Sequence, residues 1–318
     1  MGYELAGKRV WVAGHQGMVG AALAQRLTRE DCNILQSGRS GLDLRRQADV
    51  ENWVQENRPD AVIIAAARVG GIHANDSQPA AFLYDNLMIE ANIIHAAHEA
   101  RVEKLLMLGS SCIYPKHAPQ PISELDMLGG PLEPTNQWYA IAKISGVMLC
   151  AAYRREYGSD FISAMPTNLY GPGDLFDERA SHVIPALMIR FHAATEAGTP
   201  SVAIWGSGKP YREFLHVDDA ADGLVHAMKH YSDAPPLNVG SGEEIRIADL
   251  ARAIADVVGY EGDIEFDTSM PDGTPRKLID SSHLRNMGWS PGISLMDGLT
   301  TTYAWYREAF AAGTLRHA

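Results

Sequence analysis

Seven residues near the N-terminus, Gly14-His15-Gln16-Gly17-Met18-Val19-Gly20, constrain the fold more than any other stretch of this 318-residue chain. They lie between a short apolar run, residues 8–13, and a helical pattern that reaches about residue 29. A G-x-x-G-x-x-G spacing at a strand-to-helix junction makes a tight turn. It lets the backbone approach a diphosphate and aims the helix N-terminus at that charge. A glycine motif alone says little. With a strand before it and a helix after it, the motif places a dinucleotide on the first strand–helix unit.

The same rhythm continues downstream. Strands are expected at 33–36, 61–67, 104–108 and 161–165, and helices at 50–55, 80–100 and 139–157. The seven apolar residues at 61–67 are too few for an ordinary helix and read as a buried parallel strand. This alternation predicts an α/β fold with a doubly wound parallel sheet and right-handed crossovers. Past Thr167 the rhythm breaks. Residues 168–179 are rich in Gly, Pro and Asp and read as loop. Short strands are expected at 202–205, 213–217 and 237–240, and helices from near 220, at 247–258 and at 295–311.

Helix 139–157 carries Ile141, Ile144, Val147, Met148, Leu149 and Tyr153, which cover more than one stripe. One face can pack on the sheet and another on a second subunit, so a homodimer is expected.

A formal net charge of −12 excludes bulk binding to nucleic acid or to an anionic membrane. A diphosphate ligand would then need local arginines and lysines. The three cysteines, Cys32, Cys112 and Cys150, are widely spaced and form no C-x-x-C. No disulfide framework or metal site is implied, and a reducing, cytoplasmic location is expected. Residues 1–8 lack the features of a signal peptide. No apolar run approaches the roughly 20 residues of a membrane helix.

The end of the second strand selects the cofactor. An NAD site usually places an acid there to hold the ribose hydroxyls. Gln36-Ser37-Gly38-Arg39 has none. Arg39 instead suits a 2′-phosphate, so NADP(H) is expected. Asp43 is a candidate contact to the adenine.

The chemistry is concentrated in two segments, Gly109-Ser110-Ser111-Cys112-Ile113-Tyr114-Pro115-Lys116 and Tyr139-Ala140-Ile141-Ala142-Lys143. Tyr139 and Lys143 are four residues apart and share one helix face. A nearby ammonium stabilises a phenolate. Ser110, at a strand end, would orient a substrate oxygen, and together the three protonate a carbonyl as hydride arrives at its carbon. Cys112 is unusual there, since hydride transfer needs no thiol. With His182 it suits proton removal from one face of a carbon and delivery to the other.

With these motifs the chain resembles the extended short-chain dehydrogenase/reductases over nearly its whole length. Further marks are Val69-Gly70-Gly71-Ile72, Glu133-Pro134-Thr135-Asn136, Ser181-His182-Val183-Ile184-Pro185, Trp205-Gly206-Ser207-Gly208 and Pro271-Asp272-Gly273-Thr274-Pro275-Arg276-Lys277. Cys112, His182 and the 272–277 segment point within that family to the epimerase-reductases of GDP-4-keto-6-deoxy-D-mannose.

The resemblance implies a Rossmann-type doubly wound parallel sheet with a smaller, discontinuous α/β substrate domain. The NADP-binding domain would span 1–165 and 214–241, and the substrate domain 166–213 and 242–318. It implies Tyr139 as proton donor with Ser110 and Lys143, and Cys112 and His182 as base and acid at C3 and C5. The glycine loop, Leu108, Gly109, Ser110, Ser111, Pro166, Thr167, Asn168, Leu169 and His182 would line the cofactor, together with Tyr139 and Lys143. Arg190, Trp205, Arg212, Asp272 and Lys277 would hold the GDP-sugar. Gln16 stands where relatives often carry an arginine. Within the same scaffold an enzyme of a related GDP-deoxy or GDP-heptose sugar, a nucleotide-sugar 4-epimerase and an NADP sensor remain as alternatives.

Overall fold

The computed structural model of the protein describes residues 2–38, 41–177, 181–270 and 272–316. Four strand–helix steps and a fifth strand open the described chain. β1 (Arg9–Ala13), β2 (Asn33–Leu35), β3 (Ala61–Ile64), β4 (Lys104–Leu108) and β5 (Asp160–Pro166) alternate with helices. The helices are α1 (Met18–Leu27), α2 (Gln47–Asn57), α3 (Ile72–Ser77), α4 (Pro79–Glu99) and α5 (Gln137–Tyr157). The chain continues through β6 (Asn168–Tyr170), α6 (Val183–Ala197), β7 (Ser201–Trp205), β8 (Tyr211–His216), α7 (Val217–His230) and β9 (Leu237–Val239). It closes with β10 (Glu244–Arg246), α8 (Ile247–Val258), β11 (Asp263–Asp267), β12 (Arg276–Lys277), α9 (Ser282–Asn286) and α10 (Leu295–Ala312).

Six strands form one parallel sheet in the order β2-β1-β3-β4-β5-β9. The order reverses direction at β1, which places the β1 and β3 carboxyl ends beside the point where such sheets hold their ligands. Strands β3 and β4 are buried along their whole length. That explains the apolar runs at 61–64 and 105–108, because helices cover both faces. One face packs Trp11, Val62, Ile64, Leu105 and Met107 under α2, α4 and α5. The other packs Val10, Val12, Ile63, Leu106 and Ile162 under α1 and α7.

A third core lies outside this sheet. Phe191 and Met188 of α6, Ile254 of α8 and Tyr306 of α10 are buried together there. Around it β8 pairs with β10, β12 and β6, and β7 pairs with β11.

The structure refines the sequence reading in the second half. Within 168–179, which reads as loop, Asn168–Tyr170 pairs with β8 as a strand, while residues 178 and 179 lie outside the described residues. Three residues are too few to show a period. Helix α6 was not expected. Its sequence is apolar on several sides, and Pro185 sits in its first turn, where a missing N–H costs nothing.

Two glycines fix how α1 meets the sheet. Gly14 has φ +93°, and a Cβ there would lie 2.6 Å from the Ala66 backbone. A Cβ on Gly20 would fall on the Gly14 carbonyl oxygen. Both obstacles are backbone and cannot swing away. Gly20→Ala is therefore expected to push α1 off β1 and cost about 1–3 kcal/mol of stability, read as a lower urea midpoint.

Candidate functional site

The glycine loop is built to receive an anion. Gly17 N–H donates to Gly14 O at 3.0 Å and starts α1. That helix has no side-chain cap and no acidic residue in its first turn, so its first amides are free for a ligand. His15 Nδ1 is buried without a partner. Gln16 is exposed, Met18 opens the helix and Val19 packs on the core beneath it. The buried side chain of Asn86 clamps the facing loop: Arg68 N–H donates to its Oδ1 at 2.7 Å and its Nδ2 donates to Arg68 O at 3.0 Å. These residues fit the diphosphate of a dinucleotide. Farther out, Asp43 pairs with Arg45 at 2.9 Å, and Arg45 also reaches Asp85 at 3.5 Å. Arg39, the cation expected at a 2′-phosphate, lies outside the described residues.

At the carboxyl end of β4 the chain turns sharply. A Cβ on Gly109 would overlap the end of the Met165 side chain, so a larger residue there would have to displace that methionine. Ser110 then caps a single turn at Ser111–Ile113, its Oγ accepting from Cys112 N–H at 3.2 Å. Tyr139 faces this turn from α5, its phenol hydrogen-bonded to Ser110. Phe82 of α4 meets the Tyr139 ring edge-on at 6.5 Å. One turn along α5, Lys143 Nζ lies 5.7 Å from that ring and donates to Leu108 O at 2.8 Å.

Charge is managed tightly here. Lys143 is 2% exposed and lies 2.8 Å from the Glu90 carboxylate, itself 1% exposed. Burial opposes the Lys143 charge, but Glu90 and then Tyr139 outweigh it and raise the ammonium pKa. Burial pushes the Tyr139 phenol up to about 12, with Lys143 drawing it back down. At neutral pH the phenol therefore holds its proton.

Cys112 opens onto a small cavity of about 50 Å³ shared with Asn136, Gln120, Lys116, Thr274 and Lys277. The cavity joins the β4 turn to the C-terminal third of the chain. Asn136 Nδ2 lies 3.3 Å from the sulfur and Lys277 Nζ 3.7 Å from it. His182 stands at the start of α6. Its ring is open to the cleft on one side yet deep among protein atoms. That burial, with the Lys277 charge second, holds its pKa below the ordinary imidazole value. A neutral imidazole is ready to accept a proton.

Pro166, Thr167, Asn168 and Leu169 leave the sheet at the end of β5. Thr167 N–H donates to Val239 O at 3.0 Å, and Asn168 Nδ2 to Glu213 O at 2.8 Å. At the surface beside the third core, Arg190 sits 5.3 Å over the exposed Trp205 ring. Arg212 and Lys277 are register partners on β8 and β12. The Asp272 carboxylate accepts from Ser207 N–H at 2.8 Å and Oγ at 2.6 Å, clasping two loops together. Two supports were not singled out in the sequence, Glu90 and Asn86, and Asn136 was noted only within the Glu133–Asn136 motif and given no role. The available signal for Glu90 is an acid on the buried side of an apolar helix.

The sequence model of the Epimerase family, described as the NAD dependent epimerase/dehydratase family, matches residues 10–240. The chain belongs to that family. Among curated members it is 57% identical to GDP-L-fucose synthase of Sinorhizobium fredii, over 95% of this chain and 96% of the relative. It is 52% identical to GDP-L-fucose synthase of Escherichia coli, over 95% of this chain and 97% of the relative. Among solved family structures, a GDP-L-fucose synthetase from Naegleria fowleri bound to NADP superposes with a TM-score of 0.90 at 29% identity. That match covers 99% of this chain and 98% of the other.

The phenol at the centre of this family site gives a direct test. Tyr139→Phe keeps the ring against Phe82 and removes only the hydroxyl. Carbonyl reduction should fall by about 10²–10⁴-fold, followed as NADPH oxidation, while NADPH affinity by fluorescence titration stays close to that of the unmodified protein.

Proposed function

We propose that the protein is a bifunctional NADPH-dependent enzyme that epimerises GDP-4-keto-6-deoxy-D-mannose at C3 and C5 and reduces C4 to give GDP-L-fucose. The observation that carries this reading is the cavity itself. It sets the Cys112 thiol with Lys277 on the turn that begins at Ser110, the partner of Tyr139, and His182 lies close enough to Lys277 to feel its charge. A reductase alone has no use for the first group. A nucleotide-sugar 4-epimerase has no use for it either.

The cofactor would lie along the glycine loop, in the domain made of 1–165 and the returning 214–241 segment, and would supply hydride to C4. The sugar nucleotide would lie toward 166–213 and 242–318. Arg190 and Arg212 would neutralise the diphosphate, with Trp205 and Asp272 beside the nucleotide or sugar.

The C4 carbonyl acidifies the protons on C3 and C5. Cys112 and His182 act on these carbons, one removing a proton and the other returning one to the opposite face. The Ser110 and Tyr139 hydroxyls, aimed at the C4 oxygen, stabilise the enolate, and Lys277 adds a positive charge beside the sulfur. After both inversions the Tyr139 phenol gives its proton to the C4 oxygen as the carbon is reduced. Lys143 stabilises the phenolate left behind.

We also propose a homodimer. Tyr84 and Leu87 of α4 and Trp138, Ile141 and Met148 of α5 are large apolar side chains exposed on adjacent helices, the last three on one stripe. Light scattering should give twice the chain mass, and Ile141→Asp with Met148→Asp should halve it.

The reaction is tested by incubating the protein with the ketosugar and NADPH in D₂O. GDP-L-fucose carrying deuterium at C3 and C5 is the expected product. In Cys112→Ser and His182→Asn, wash-in should fall by about 10²-fold or more while NADPH still binds. Normal wash-in in both variants would remove the thiol and imidazole from the mechanism.

A further inference from the structure

Glu90 has no part in the reaction as described, yet it is among the most deeply buried charges in the protein. It lies on α4, 1% exposed, and its carboxylate is 2.8 Å from Lys143 Nζ. Burial raises its pKa, and Lys143, the one charged neighbour acting on it among the described residues, opposes that and favours the carboxylate. The surrounding structure has been shaped to admit it. Gly146 lies one turn beyond Lys143 on the same face of α5, and a Cβ there would come within 2.5 Å of Glu90 Oε2 and 2.6 Å of Met107. A glycine in mid-helix weakens the helix, and here it makes room for a carboxylate. Buried ion pairs are weak contributors to stability, since apolar residues of like volume commonly do as well. A buried pair that includes Lys143 is therefore better explained by what it does for the lysine.

Resting on the reading of Tyr139 as proton donor, we propose that Glu90 is a positioning residue that pins the Lys143 ammonium beneath Tyr139 and counters its charge. The tyrosine then keeps its proton until the substrate oxygen takes it. A free ammonium so close to the phenol would draw the proton off early. A neutral amine would leave the phenolate unsupported after transfer. The carboxylate holds the site between these two failures, and the second anchor, Leu108 O, fixes the ammonium's position from the sheet side.

The charged and titratable groups acting on this set come from three elements. Lys143 on α5 draws the phenol pKa down, while Cys112 on the β4 turn and Glu90 on α4 push it up, all beneath the larger upward push of burial. Cys150, one turn past Gly146, feels Glu90 and hydrogen-bonds to Ser163. Removing the carboxylate's charge takes an upward push from the phenol and the main support from the ammonium. Both protons are then lost at lower pH, and reduction requires both.

The test is Glu90→Gln, assayed for reduction of GDP-4-keto-6-deoxy-D-mannose from about pH 6 to about pH 12, a range that contains the limb set by Tyr139 and Lys143. The alkaline limb of kcat/KM should move down by at least about one pH unit, a tenfold loss on that limb. Glu90→Asp, which keeps the charge but draws it back by one methylene, should shift the limb less in the same direction. It also serves if the glutamine variant does not fold. A second arm needs no substrate. The ultraviolet tyrosinate titration, with NADP⁺ bound, is taken as the difference between each protein and its Tyr139→Phe counterpart, and should show the same downward shift of Tyr139. An unchanged limb and an unchanged titration in a folded, NADPH-binding variant would overturn the proposal. Failure of the unmodified protein to reduce the ketosugar would instead overturn the functional reading, and the titration would still decide the role of Glu90.

Discussion

A single buried ammonium, Lys143, sets the geometry at the centre of this molecule. It is almost wholly removed from water, and its bonds run to the end of the central strand and to the neighbouring helix. An unpaired charge in such a place would be expelled or neutralised. Its partners therefore dictate how α4, α5 and β4 meet. With that meeting fixed, the Tyr139 ring has one place to lie, edge-on to Phe82 and facing Ser110. The short turn after Ser110 then sets the direction of Cys112.

The glycine loop answers a different constraint, the approach of helix to sheet. Gly14 and Gly20 are obligatory because backbone stands where a side chain would go. Gly17 is not crowded in this way, since a Cβ there would meet only Gly14 O at 3.4 Å. Its lack of a side chain makes sense only in relation to something outside the protein. The three glycines of one motif thus have separate physical causes, two internal and one facing the ligand.

The first half of the fold was legible because buried parallel strands and amphipathic helices repeat with clear periods. The second half was less so. β10 and β12 are three and two residues long, too short for any period to register, and they pair with a strand far away in sequence. The Ser–Tyr–Lys set was legible for a local reason: a four-residue spacing on one helix is a geometric statement. The neighbours of Cys112 were not. Lys277 lies 165 positions on in the chain, and it was expected simply to hold substrate. Glu90 left a signal, an acid on an apolar helix, but its role is intelligible only beside Lys143, more than fifty residues on in the chain.

Glu213 gives the assembly an order in time. Its buried carboxylate accepts from Gly242 N–H at 2.7 Å and Ile279 N–H at 3.1 Å, so one anion fastens β8, the turn before β10 and the segment just after β12. Those amides emerge from the ribosome long after the carboxylate does. A nascent chain that has reached about residue 240 already contains all six strands of the parallel sheet and can begin to bury them. Until some forty further residues arrive, Glu213 lacks its Ile279 amide, β12 is unformed, and Cys112 is without its lysine. The sheet and its tyrosine are thus early products of synthesis. The environment of the thiol is a late one, completed by the last third of the protein closing over the first.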